Sequence, residues 1–287
     1  MRLSTSTCIY FNRPDGSKAA ITDCIERCAN AGYRHMDMSF HDCSMFSTPF
    51  QTDNWERWLC EIKSTAARRG IVFSQGHAHF YNYCNPPQDA HRQEELVRRS
   101  IVGAGMLGIP WLVTHAATDF ESPATVRDSR RKAVEYLKPR VELAASLGVG
   151  IALENLWELN ISPARRYTST AEELCELVEL LPYDNVGVCW DAEHAGIMKQ
   201  DQRKALAMVG DRLKATHISD FTTVQNDHLL PYTGVMDWRE VMDALHSINY
   251  QGDFSYEAFR YTAFMPDDLI DAALRYSVAV GEHLLRL

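Results

Sequence analysis

The sequence predicts an α/β fold, a single (β/α)₈ TIM barrel spanning residues 1–287, and three observations carry that prediction. Short apolar runs alternate with amphipathic helical stretches along the whole chain, and eight such units can be traced. The first unit is followed by Phe11-Asn-Arg-Pro-Asp-Gly16, which lacks the glycine spacing of the phosphate turn in a doubly wound open sheet. No linker or low-complexity tract divides the 287 residues, a length one-domain barrels reach.

Taken in order, Thr7–Phe11 reads as the first strand, and a helix from about Lys18 to Ala31 stops at Gly32. Tyr33–Phe40 is the second strand, followed by a helix over Asn54–Arg69 closed by Gly70. Ile71–Gln75 and a helix near Gln93–Leu107, stopped by Gly108, form the third unit. Trp111–His115 and a long helix over Ser129–Leu147, ended by Gly148, form the fourth. Gly150–Glu154 is the fifth strand, and the Ser-Thr-Ala-Glu-Glu run caps a helix over Thr170–Leu181. Val186–Asp191 precedes a helix over Asp201–Val209, and Leu213–His217 precedes one over Trp238–Ile248. Phe254–Glu257 is the eighth strand, and Asp267–Leu285 the terminal helix. Glycine after a helix supplies the left-handed cap that other residues adopt at a cost.

Composition narrows the function. A 46% hydrophobic content builds a core without disulfide or metal staples, so the eight cysteines read as reduced, mostly buried thiols of a cytoplasmic protein. A formal net charge of −9 speaks against a nucleic-acid partner, which needs a basic surface. Met1 to Pro14 carries no signal-peptide pattern, and no apolar run reaches the roughly 18 residues of a membrane span.

In such a barrel the active site is built where strands end and the βα loops begin. Strands five to eight end in Ile-Ala-Leu-Glu154, Val-Cys-Trp-Asp191, Ala-Thr-His217 and Ser-Tyr-Glu257. Any one of these, taken singly, is a strand-end residue capping the next helix. Four on consecutive strands at the same end converge on one point. Three carboxylates there would raise one another's pKa values, and a divalent cation removes that repulsion. Oxygen ligands with one imidazole suit Mn²⁺ first, with Mg²⁺, Co²⁺ or Zn²⁺ as alternatives. The same rim gains His77 and His79 after the third strand, His115 at the end of the fourth, His194 three residues past Asp191, and His228. His77, His115, His194 and His228 are assigned to the site, and His79, alternating away from His77, to structure. His35, His91, His246 and His283 read as surface or packing residues. Aromatics including Trp157, Phe80 and Phe259 crowd these loops; sugar rings lie on such faces, but barrel rims also bury aromatics for packing.

Ala152-Leu-Glu-Asn155, Trp190-Asp-Ala-Glu-His194, His217-Ile-Ser-Asp220, Asp227-His-Leu-Leu-Pro231 and Tyr256-Glu257 resemble the xylose isomerase-like barrels. That family includes sugar phosphate isomerases and epimerases and endonuclease IV. The resemblance implies that Glu154, Asp191, His217 and Glu257 bind one metal ion, that Glu154 and Glu257 also move a proton, and that His194 contacts substrate. It implies a carbohydrate isomerase or epimerase acting on a small sugar through a metal-stabilised enediolate. Family members are often dimers or tetramers, so it also suggests a homo-oligomer. The chain departs from the family at Pro231-Tyr-Thr-Gly234, where many members have Pro-Gly-Glu-Gly. Ketose 3-epimerases commonly carry an arginine there, and the candidates for its role are His228 and Arg260. Two other readings use the same rim: lyase or dehydratase chemistry on oxidised sugars or inososes, and endonuclease IV-like phosphodiester cleavage. The latter also matches His77, His115, His194 and His228, but has an aspartate where this chain has Asn226.

Overall fold

The computed structural model describes residues 1–158 and 164–287 and places eight parallel strands in one barrel. They are β1 (Arg2–Ser6), β2 (His35–Ser39), β3 (Val72–His77), β4 (Trp111–Thr114), β5 (Gly150–Glu154), β6 (Val186–Asp191), β7 (Leu213–His217) and β8 (Asp253–Tyr256). From β1 to β7 each strand pairs with the next in sequence, and β8 pairs with β1. The ring closes through a parallel bridge between Ile218 and Tyr256, where the Glu257 amide donates to the Ile218 carbonyl at 3.0 Å. The helices Ile21–Ala31, Trp55–Arg69, Ala90–Leu107, Thr125–Ser146, Ala171–Glu179, Gln202–Val209, Trp238–Ser247 and Asp267–Leu284 surround it. None of the described helices is long and apolar enough to cross a membrane.

Seven strands fall at their expected places, with ends shifted by a residue or two. The first does not: Thr7–Phe11 was expected as β1, but Cys8–Phe11 is a short helix and the strand is Arg2–Ser6. The misreading has a physical cause. Ser4, Thr5 and Ser6 are buried, so small polar residues serve where an apolar strand is expected. The apolar run that follows is buried as well, but by packing as a helical turn under the outer layer.

Two glycine caps are required by conformation. Gly70 (φ 65°) and Gly108 (φ 75°) are left-handed, and their amides satisfy carbonyls at the ends of Trp55–Arg69 and Ala90–Leu107. Gly150 is required by space. Inside the barrel Val113, Ala152, Cys189 and Ala215 pack against Trp111, and a Cβ at Gly150 would lie 2.4 Å from the Trp111 ring. Gly150→Val is expected to destabilise the fold by about 1–3 kcal/mol through overpacking. A thermal midpoint equal to that of the parent chain would show that the ring yields freely.

Candidate active site

The strand register brings the expected ligands together. Glu154 and Asp191 end β5 and β6, His217 ends β7, and Glu257 follows β8. One candidate ligand atom from each lies within 4.8 Å of the other three. Asp191 caps the following short helix, Ala192–Ile197, through Oδ1, which accepts from the His194 amide at 2.7 Å. Its Oδ2 is buried without a hydrogen-bond partner. Asn155 fixes the Asp191 backbone from both sides, accepting from its amide at 2.7 Å and donating to its carbonyl at 2.9 Å.

Imidazoles surround the carboxylates. Glu154 Oε2 lies 3.0 Å from His115 Nε2 and 3.4 Å from His77 Nε2, and its Oε1 lies 3.1 Å from His217 Nδ1. Glu257 Oε2 is 3.2 Å from His217 Nδ1 and 3.8 Å from His228 Nε2. His194 Nδ1 lies 2.8 Å from the Asn155 carbonyl, with Glu154 and Asp191 oxygens at 3.5 Å. Burial would raise the Glu154 carboxyl, but His217 and His115 hold it well below the usual range. Burial pushes the Glu257 carboxyl up, with Glu154 adding to the rise. Burial opposes charge on His77 too, yet the adjacent Glu154 brings its pKa up to about 9. His115 is instead held down at about 4 by burial, so His217 is the stronger charge partner of Glu154. The carboxylates are thus balanced by protonated imidazoles, and a divalent cation would supply the same compensation. With an orphaned Asp191 oxygen and three carboxylates beside one imidazole, Glu154, Asp191, His217 and Glu257 fit such an ion.

Several functional-type residues went unnoticed in sequence. Asp37, inside β2 and fully buried, lies 3.3 Å from His217 Nε2 and accepts a 2.6 Å hydrogen bond from Gln75. A carboxylate between Met36 and Met38 on a barrel strand was the available signal. His41 stacks on Phe80 with ring centroids 4.1 Å apart, and burial lowers its pKa to about 2. Glu193 is buried under His228, whose amide donates to it at 2.8 Å; burial raises its pKa to about 7. His228 itself takes a left-handed backbone (φ 52°), uncommon for a residue with a side chain.

Above the cluster is a cavity of about 220 Å³ whose walls include His77, His115, Arg166, His194, His228 and Glu257. Trp157 and Arg260 are not among the described residues lining it. Arg260 binds Asp227 at 2.8 Å and lies over Phe259, while Trp157 lies under the Arg166 guanidinium. His79 hydrogen-bonds Gln93 and stacks on His41, a packing role as expected. A larger surface groove, lined by Pro49, Trp58 and Arg92, holds none of these groups.

A barrel with this rim defines the class, and the chain belongs to the xylose isomerase-like TIM barrel family, whose family model matches residues 25–279. Among its relatives is an uncharacterized protein of Sinorhizobium fredii, 30% identical over 57% of this chain and 51% of its own length. The D-psicose 3-epimerase of Enterocloster bolteae is 25% identical over 70% of this chain and 66% of its own. The matches therefore span only about half to two thirds of these two relatives. A crystal structure of D-psicose 3-epimerase in the presence of D-fructose superposes with a TM-score of 0.74 at 19% identity, covering 99% of each chain.

Proposed function

We propose that this chain is a divalent-metal-dependent epimerase or isomerase of keto sugars. The observation that carries the reading is the convergence of Glu154, Asp191, His217 and Glu257 at the floor of a sugar-sized cavity. The 3-epimerase activity of the matched relative supports it. A metal ion held by these four residues would polarise the sugar carbonyl and offset their repulsion.

The rest falls to the protein. Glu154 takes the proton from the carbon beside the carbonyl; the C–H electron pair forms a carbon–carbon double bond and the carbonyl π pair moves to its oxygen, giving an enediolate. Return of a proton by Glu257 to the opposite face of the same carbon epimerises it. Return to the neighbouring carbon, with the hydroxyl proton passing to the former carbonyl oxygen, isomerises the sugar. His77, His115, His194 and His228 line the path and orient hydroxyls. Glu193 and the Asp227–Arg260 pair hold His228 in its left-handed turn.

The test joins metal analysis of the purified protein to solvent-deuterium uptake by ketoses, read by mass spectrometry. One metal ion per chain is expected, with deuterium on a sugar carbon, loss of uptake after chelation and recovery on adding Mn²⁺. One observation keeps a second reading in view: His77, His115 and Glu154 form another ligand cluster, as do Asp191, His194 and His228. That is the pattern of an endonuclease IV-like phosphodiesterase. Asn226, where that enzyme has an aspartate, is exposed and bonds Thr222. Three zinc ions and cleavage at abasic DNA would replace the sugar reading with this one.

A further inference from the structure

A second cavity, of about 210 Å³, adjoins the one above the ligand cluster. Phe80, His115, Leu156 and Arg166 line both, so the two compartments share one partition. The second differs in chemistry. Beyond the partition its walls include Tyr81, Asn82, Ala117, Thr118 and Phe120, and among the described residues it contains no carboxylate. Phe120 is an aromatic ring left 49% exposed. Tyr81 is held in place by hydrogen bonding to Glu94 and edge contacts to Tyr83 and Tyr136. Rigid aromatic faces with a few amide and hydroxyl groups suit a ring that has apolar faces and polar edges. Arg166 stands at the junction, its side chain 47% exposed and its ion pair with Glu158 long at 3.9 Å. Its guanidinium can therefore donate to an oxygen passing between the compartments.

Resting on the function proposed above, we propose that the substrate is a substituted keto sugar carrying a second ring. The reacting sugar sits over Glu154 and Glu257, its substituent stacks in the Tyr81–Phe120 compartment, and Arg166 donates to the linking oxygen. The reacting carbon must lie at the carboxylates, so the far end of the sugar points to the opening and the partition. Each compartment has room for about one ring, and together they reach the range of roughly 300–1,000 Å³ usual for small-molecule sites.

Isomaltulose and lactulose test this, because each leaves the carbonyl of its fructose unit and the adjacent C–H free while attaching a second ring at O6 or O4. Solvent-deuterium uptake by the metal-loaded protein is compared for these and for free fructose, and their binding to Glu257→Gln protein is measured by calorimetry. The expected kcat/KM for at least one disaccharide exceeds that for fructose by tenfold or more. Phe120→Ala and Ala117→Phe should each collapse that ratio towards one and weaken disaccharide binding. Fructose turned over as well as or better than both disaccharides, or a ratio the two variants leave unchanged, overturns the inference and leaves the epimerase reading standing. Disaccharide binding that Ala117→Phe abolishes, without deuterium uptake from any sugar, supports the compartment and overturns the proton-transfer reading. Neither binding nor uptake overturns both.

Discussion

Glu257→Gln is expected to lower turnover by about 10²–10⁴-fold, the usual worth of a positioned general acid or base. The amide keeps the shape of the carboxyl and one oxygen, but it can neither take nor deliver a proton. Glu154→Gln should lose activity to the same degree. The two variants should part company in stability. Glu257 is an acid whose charge is disfavoured by burial, so its neutral isostere should leave the thermal midpoint unchanged or slightly raised. Glu154 lies within 3.5 Å of four imidazoles through its two oxygens, and Gln can accept at only one of them. Its midpoint should fall, because an NH₂ group would face one pair of ring nitrogens. Deuterium uptake and thermal melts of both proteins check this. Near-parental uptake in either variant would remove that glutamate from the mechanism.

That contrast also shows which parts of the site the sequence made legible. Strands β5 to β8 were readable because a ligand-type residue ends or directly follows each of them, so strand assignment and site assignment reinforced each other. On β2 the carboxylate lies inside the strand rather than at its end: Asp37 is followed by Met38 and Ser39 before the strand stops. Its partner His217 is 180 residues away, and only barrel closure brings the two together. His41 and Glu193 were hidden differently, since each lies in a short helix, Phe40–Met45 or Ala192–Ile197, too brief for a periodic pattern. The first strand failed for the opposite reason, because its buried serines and threonine look exposed in sequence. Arg166 follows a stretch with no strong periodicity, and nothing in that stretch marks it for the partition.

Asp37→Asn is expected to weaken metal binding by about 10–100-fold, the scale of losses when the partner behind a ligating histidine is removed. Asp37 Oδ2 faces His217 Nε2 at 3.3 Å, while His217 Nδ1 faces the Glu154 and Glu257 oxygens. A carboxylate behind Nε2 keeps the proton on that nitrogen and leaves the Nδ1 lone pair free for a cation. Gln75 fixes the arrangement by donating to the same Asp37 oxygen at 2.6 Å and to the Thr216 carbonyl at 3.1 Å. An asparagine that accepts from Gln75 through its oxygen keeps that same oxygen facing His217 Nε2, so the geometry is retained and the negative charge is lost. The imidazole keeps its proton on Nε2 but faces a weaker, neutral acceptor, which makes Nδ1 a less basic ligand. Asp37→Glu should disturb binding differently, since its longer side chain keeps the charge but shifts His217. Metal affinity is read by competition with a coloured chelator and the tautomer by ¹⁵N NMR of the imidazole, neither of which depends on turnover. If Asp37→Asn binds metal like the parent chain, then the charge of Asp37 does not act on its histidine and the residue fills space beneath the site.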